Sequence, residues 1–229
     1  TLFRSMHGAT NVINMDGLEW KRDKWRLHEK LWLWANERIG CLVGNHLVAD
    51  HPEIANHLAT RVNRSKITMI PYGANQVDQA NKDVLAGFDV TENRFVTVIA
   101  RPEPENSVLE IVQAFSEKTR GMKLLVLGKY DASGNEYHRR VMDAASAEVV
   151  FTGAIYDRDI VESLRFHSRL YVHGHRVGGT NPSLVEALGA GSAILAHDNH
   201  FNRWVAGDQA ACYFSDTASC SQAFDSLLT

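Results

Sequence analysis

From Phe95 onward the hydrophobic positions fall into short unbroken runs, separated by segments in which they recur every three or four residues. The runs Phe95 to Ala100, Lys123 to Leu127, Glu148 to Thr152, Arg169 to His173, Ala193 to Ala196 and Ala211 to Phe214 have the length of strands covered on both faces. Between them lie helical patterns. Ser107 to Lys118 sets Val108, Ile111, Val112 and Phe115 on one face, and Asp157 to Phe166 opens with acids and turns Ile160, Val161 and Leu164 inward. Strands alternating with helices of this length predict right-handed crossovers, and so a doubly wound, mostly parallel α/β sheet.

The first part of the chain has the same rhythm with fewer beats: a strand over Asn11 to Asn14, a long helix from Trp20 to Arg38, a strand over Cys41 to Gly44, a helix from Glu53 to Val62 and a strand over Lys66 to Ile70. Three strands make a poor sheet between helices, so this unit is expected to be an incomplete α/β domain whose beginning lies upstream of Thr1. The stretch from Pro71 to Arg94 is polar and aperiodic and reads as a linker, which divides the chain into domains 1–85 and 86–229.

Composition narrows the function. With 45% hydrophobic and 22% charged residues the 229-residue chain is globular, and a net charge of −3 gives no overall attraction to nucleic acid. An anionic ligand must then be held by local arrangement. Cys41, Cys212 and Cys220 form no paired motif, which favours reduced thiols and a cytoplasmic location. The chain holds no apolar run of membrane-helix length, and its first residues lack the layout of an export signal.

The densest candidate chemistry is HGHRVGGTNPSLVEALGAG, residues 173 to 191, directly after the run Leu170 to Val172. Open α/β sheets bind ligands at the carboxyl ends of their strands, which is where this stretch falls. Pro182 suits the first turn of a helix and Asn181 its cap, so the amides from Gly179 to Asn181 are expected to lie free behind side-chain-poor Gly178 and Gly179. Backbone amides at a helix start hold phosphate, and Glu186, one turn on, is placed to accept hydrogen bonds from ribose hydroxyls.

This stretch resembles the donor-binding motif of the GT-B glycosyltransferases of family 4. Three further segments support the likeness. ITMIPYGANQVD, residues 67 to 78, is similar to the connection between the two domains; IARPEPENSVLEIVQAF, residues 99 to 115, to the first strand, loop and helix of the donor domain; NMDGLEWKRDKW, residues 14 to 25, to a segment of the rhamnosyltransferase-like branch. The resemblance implies a GT-B fold with a partial acceptor-side domain and a nucleotide-sugar domain. It further implies a retaining transferase that moves a hexose, such as rhamnose, from a nucleoside-diphosphate sugar to a glycan or lipid-linked acceptor in surface polysaccharide synthesis, without a metal or other cofactor.

Carried over position by position, Glu186 matches the family's ribose-binding glutamate, with Thr180, Asn181 and Ser183 around it on the donor side, and Arg101 matches the arginine of its diphosphate clamp. Two positions depart from the pattern. Gly178 stands where a second glutamate is usual, with His175 or the neighbouring amides as substitutes; Ser107 stands in place of the clamp lysine, with Lys129 as its substitute. These departures keep open a non-catalytic nucleotide-sugar binding module, and a sugar-nucleotide epimerase of the same architecture remains a further alternative. A nicotinamide-dependent oxidoreductase is disfavoured because RPEPEN, not GxGxxG, follows strand 95 to 100.

GLEWKRDKWRLHEKLWLW, residues 17 to 34, joins tryptophans to bases, with Leu27, Leu31, Trp34 and Ala35 on one helical face. Packing on its own sheet is the simpler reading, and contact with a membrane surface through Lys21, Arg22 and Trp25 the sharper one. Asp16, at the end of the first strand, is the candidate for acceptor contact and catalysis, with Glu19 second to it; capping of the following helix is an equal alternative. His173, His175, His197 and His200 invite a metal reading, but spacing alone does not make tetrahedral ligands converge, and no metal site is expected.

Overall fold

A computed structural model describes residues 8–15, 17–22 and 24–228. It divides into two compact units, one running up to Tyr72 and including Val177–Asn181, the other formed by Gly73–Arg176 and the described residues from Pro182 onward.

The second unit is built on a six-stranded sheet, whose strands are β4 (Phe95–Ile99), β5 (Lys123–Leu127), β6 (Val149–Gly153), β7 (Leu170–His173), β8 (Ile194–His197) and β9 (Ala211–Phe214). They run parallel in the order β6-β5-β4-β7-β8-β9, as the alternating pattern predicts. The order reverses between β4 and β7, and the carboxyl ends of these two strands frame the topological switch point where ligands of open sheets bind.

Helices α3 (Val108–Ser116), α4 (Glu136–Asp143), α5 (Arg158–Phe166), α6 (Pro182–Gly189), α7 (His200–Ala210) and α8 (Thr217–Leu227) cover the sheet. One face buries Val96, Val98, Leu124 and Val126 against Ile111, Val112 and Phe115 of α3 and Phe224 of α8. On the other, Phe95, Leu125 and Leu127 meet Leu164 of α5. Leu85 joins that second cluster from a short helical turn over Lys82–Phe88, so the polar connecting stretch is folded against the sheet rather than loose. The Val77 amide also donates to the Gly189 carbonyl at 2.9 Å.

Side chains fix the helix starts. The Asn135 amide oxygen accepts from the Tyr137 and His138 amides at 2.9 and 3.2 Å, two donors that no preceding turn can satisfy. Asn135→Ala is expected to cost about 1 kcal/mol of stability, and Asn135→Asp to restore most of it, measured by urea unfolding.

The first unit carries β1 (Val12–Met15), β2 (His46–Ala49) and β3 (Ile67–Met69), parallel in the order β1-β2-β3, with α1 (Leu27–Val43) and α2 (Pro52–Ala59). Here two expectations are corrected. The apolar run Cys41 to Gly44, expected as a strand, completes α1: Glu37 and Cys41 lie one turn apart on its inward side, and the Gly44 amide still donates to the Gly40 carbonyl at 2.9 Å. The strand begins at His46, where the Asn45 and His46 amides reach the Asn11 carbonyl.

The helix expected from Trp20 starts only at Leu27. Residues Glu19–Lys21 form a separate turn, and the Glu29 carboxylate accepts the Arg26 amide at 2.7 Å, satisfying one donor at the helix start. α1 is held instead through Glu37. Its carboxylate receives Trp20 Nε1 at 2.6 Å, His57 Nε2 at 2.8 Å and Arg61 Nε at 3.3 Å. Burial pushes the Glu37 carboxyl up, but these donors together hold it below the ordinary range. Of the face expected to pack on the sheet, Leu27 and Leu31 are at least 60% exposed and Trp34 is 37% exposed, while Ala35 is partly buried. Among the described residues no helix is long and apolar enough to cross a membrane.

Candidate functional site

The loops at the switch point are tied to each other. After β4, the Asn106 side chain donates from Nδ2 to the Arg101 carbonyl at 2.8 Å, which turns its Oδ1 toward His175 beyond β7. His175 Nδ1 lies 2.5 Å from that oxygen. Because the amide oxygen can only accept, Nδ1 carries the proton, and the ring's other nitrogen is the acceptor when the imidazole is neutral. The His175 carbonyl in turn accepts from Asn199 and Asn202 at 3.0 and 2.9 Å. A β-carbon on Gly174 would collide with the Asn106 carbonyl, so this approach of the two loops requires glycine there.

The positions expected to grip a diphosphate stand at adjacent strand ends. Ile99 of β4 pairs with Leu127 of β5, and Arg101 and Lys129 follow each partner by two residues. Both are exposed, and neither side chain bonds to another described residue. Ser107, in place of the clamp lysine, is buried in the left-handed region at φ 49°, where a side chain other than glycine, asparagine or aspartate is uncommon. It opens α3 and lies under the loop, so it is no surrogate for a cation.

A cleft of about 760 Å³ opens beside this edge of the second unit. Ile99, Ile155, Tyr156, Arg165 and Glu186 are among its walls. Glu186, on α6, keeps 49% of its side chain exposed, and its Oε2 lies 2.6 Å from Arg165 Nη2. The same guanidinium nitrogen donates to Ser183 Oγ at 3.0 Å, which lies 2.6 Å from the Tyr171 hydroxyl. Ser183, expected on the donor, is thus a link between Arg165 and the buried end of Tyr171. Burial raises the Tyr171 hydroxyl above the usual tyrosine range, so it stays protonated, and either hydroxyl of the pair can donate to the other.

The glycine loop itself corrects an expectation. Val177–Asn181 cluster with the first unit, and the Thr180 amide is not free: it donates to Asp50 Oδ2 at 2.8 Å, while the Thr180 hydroxyl donates to the Asp50 carbonyl. A β-carbon on Gly179 would strike the Asp50 carboxylate. An anion cannot share that amide with a carboxylate already on it, so of the expected amide cradle the Thr180 N–H is committed elsewhere. Gly178 has φ 125°, a backbone that side chains rarely adopt, and a glutamate could not take its place without moving the loop.

Asp16 lies outside the described residues. Of the other acceptor-side candidates, Glu19 is engaged by Arg22 at 2.9 Å and by Trp25 Nε1 at 3.3 Å, and Lys21 sits 5.4 Å from the Trp20 ring. These contacts are local to residues 19–25. The rings of His173 and His175 are 6.0 Å apart, but among the described residues no three metal-binding side chains converge.

Sequence reasoning missed Arg165, Asp50 and Asn106. Arg165 had a signal: with Val161 and Leu164 it falls on the inward stripe of α5, where a charge is out of place. Asp50 follows β2 directly, the position at which α/β strands present functional groups. Asn106 had none, since only the folded loop brings it to His175.

Residues 3–75 match a family model described as a domain of unknown function, DUF1972, and no curated protein matches the chain in sequence. Similar solved structures are HepE of Anabaena in complex with UDP, with TM-score 0.77, 12% identity, and 98% of this chain and 64% of that one covered. A sucrose-phosphate synthase of Thermosynechococcus elongatus gives 0.78 and 14%, covering 99% and 60%. A glycosyltransferase of Rickettsia africae gives 0.70 and 12%, covering 99% and 68%. The chain thus spans roughly two thirds or less of these proteins. What it shares with them over almost its entire length is the α/β fold with parallel, Rossmann-like sheets of the GT-B glycosyltransferases.

Proposed function

We propose that the protein is a glycosyltransferase whose second unit binds a nucleoside-diphosphate sugar, with Glu186 accepting hydrogen bonds from the ribose and Arg101 and Lys129 meeting the diphosphate. The observation that carries this reading is the half-exposed Glu186 carboxylate, held by a buried arginine at the wall of a cleft beside the carboxyl ends of a doubly wound sheet. A similar fold holding UDP in HepE supports it.

In the finer reading the enzyme is a retaining transferase of family 4 in the rhamnosyltransferase-like branch. The bond from the anomeric carbon to the diphosphate oxygen breaks as the acceptor hydroxyl adds on the same face, and the acceptor proton passes to the departing diphosphate. Fixed cations stabilise the charge that this leaving group gains, and a single such donor is worth on the order of 3 kcal/mol. His175, held in one tautomer by Asn106, replaces the missing glutamate near the transferred sugar. The acceptor is a glycan or lipid-linked glycan, and no cofactor is assigned. Reaction at the inner face of the cell membrane, in the cytoplasm, fits such an acceptor.

The test is a thermal-shift panel of UDP, GDP, dTDP and ADP. At tenfold excess over Kd, one of them is expected to raise Tm by roughly 3–5 °C. Arg101→Ala is expected to halve the rise or more, because the exposed guanidinium contributes to ligand and not to fold. A flat response from the parent to all four would end the proposal. Ser107 and Gly178, where a lysine and a glutamate are usual, favour a second reading, a nucleotide-sugar binding module without transfer. Binding without hydrolysis or transfer of labelled donor would establish that reading.

A further inference from the structure

The Arg165 side chain is 92% buried on α5, and both of its ends are fixed. The Ser168 and Ser192 hydroxyls donate to its carbonyl at 3.0 and 2.9 Å; its guanidinium holds Ser183 and Glu186 and lies 6.0 Å from the Tyr171 ring centre. Its Nε is buried without a hydrogen-bond partner among the described residues. Burying a guanidinium is expensive, and an apolar side chain of equal volume would serve the core as well or better. Fold stability therefore does not account for an arginine at this position. Its one ionic partner among the described residues is the carboxylate at the cleft, reached from a different helix.

Taking Glu186 as the ribose ligand, as proposed above, we infer that Arg165 is a positioning residue: by holding Oε2 it fixes the glutamate rotamer and leaves Oε1 for the sugar hydroxyls. The Tyr171–Ser183 pair completes the support, since Ser183 occupies the second direction of the same guanidinium nitrogen. A glutamate frozen before the ligand arrives does not lose its rotamer freedom on binding, an advantage of about three- to tenfold in affinity.

The test compares whichever of the four diphosphates binds the parent most tightly with its 3′-deoxy counterpart, by calorimetry. Arg165→Met is expected to weaken the natural diphosphate three- to tenfold and leave the 3′-deoxy ligand unchanged. Arg165→Lys, which keeps the charge, should recover part of the preference and decides the matter if the methionine variant does not fold. In a Glu186→Gln background, Arg165→Met should add no further loss. Equal weakening of both ligands, or a loss that persists in that background, would overturn the positioning role while leaving the nucleotide reading intact. No binding by the parent removes that reading and this inference with it.

Discussion

Glu186→Gln is expected to lower nucleoside-diphosphate affinity by ten- to a hundredfold while the protein remains folded. In the proposed function the carboxylate has two jobs, one oxygen toward Arg165, at 2.6 Å, and the other toward the ribose. Glutamine has a single oxygen for both, and its NH2 group offers a donor where the sugar hydroxyls or the guanidinium need an acceptor. Hydrogen bonds to a charged group contribute about 1.5–3 kcal/mol and neutral ones about 0.5–1.5, so each bond that loses its charged partner weakens by about 1–1.5 kcal/mol, and one or two such bonds account for roughly a ten- to hundredfold loss. Alanine is the poorer probe, because it removes the acceptor of the buried guanidinium altogether, where glutamine keeps a carbonyl oxygen, and so mixes a larger folding defect into the binding loss. Calorimetry on the glutamine variant reads the effect directly, and a Kd within twofold of the parent would remove Glu186 from the site.

Stability is expected to fall steeply in acid because of His173. This side chain is buried at the end of β7, 6.4 Å from the Tyr171 ring and nearly parallel to it, with Nε2 unpaired among the described residues. Burial, helped by the neighbouring His175, Arg165 and His197, pushes its pKa down from 6.5 to about 3. The folded pKa lies below the unfolded one, so below pH 6.5 the unfolded chain binds the proton and the folded chain does not. The contribution of neutral His173 is complete above pH 6.5 and is lost as the pH falls toward 3, at about 1.4 kcal/mol per unit. Between pH 6.5 and 4.5 the loss is about 2–3 kcal/mol. His197 is also held low by burial and adds to the parent's slope, so the measurement is a difference. Urea unfolding of His173→Phe, which keeps a ring beside Tyr171, should show a slope shallower by one proton; equal slopes in parent and variant would refute the assignment.

The contrast between Ser107–Lys118 and Cys41–Gly44 shows what was legible in the fold. In the first, apolar positions at helical spacing over three turns left one solution, and α3 forms there with Phe115 buried. In the second, four apolar or small residues fit either a strand or a last helical turn, because periodicity needs more residues than a run of four supplies. The choice fell to long-range contacts: Glu37, one turn before Cys41, is the meeting point of Trp20, His57 and Arg61, and the strand forms where backbone groups find Asn11.

The site divides in the same way. Residues set by strand ends and helix starts were readable, because local sequence determines both: Arg101 and Lys129 follow paired strands, and Pro182 opens α6 with Glu186 one turn on. Partners from other elements were not. Nothing near Thr180 in the chain foretells that Asp50, 130 residues earlier, takes its amide, and nothing near Glu186 foretells the guanidinium of α5.

The sequence by itself therefore determined the parallel doubly wound architecture, the position of the glycine loop and the acid one turn into its helix, since these follow from spacing along one segment. Tertiary structure alone decided which of those groups are available to a ligand, which tautomer His175 holds and which carboxylate a buried arginine fixes. Hydrogen bonds and ion pairs act over about 3 Å, and only folding brings such groups that close.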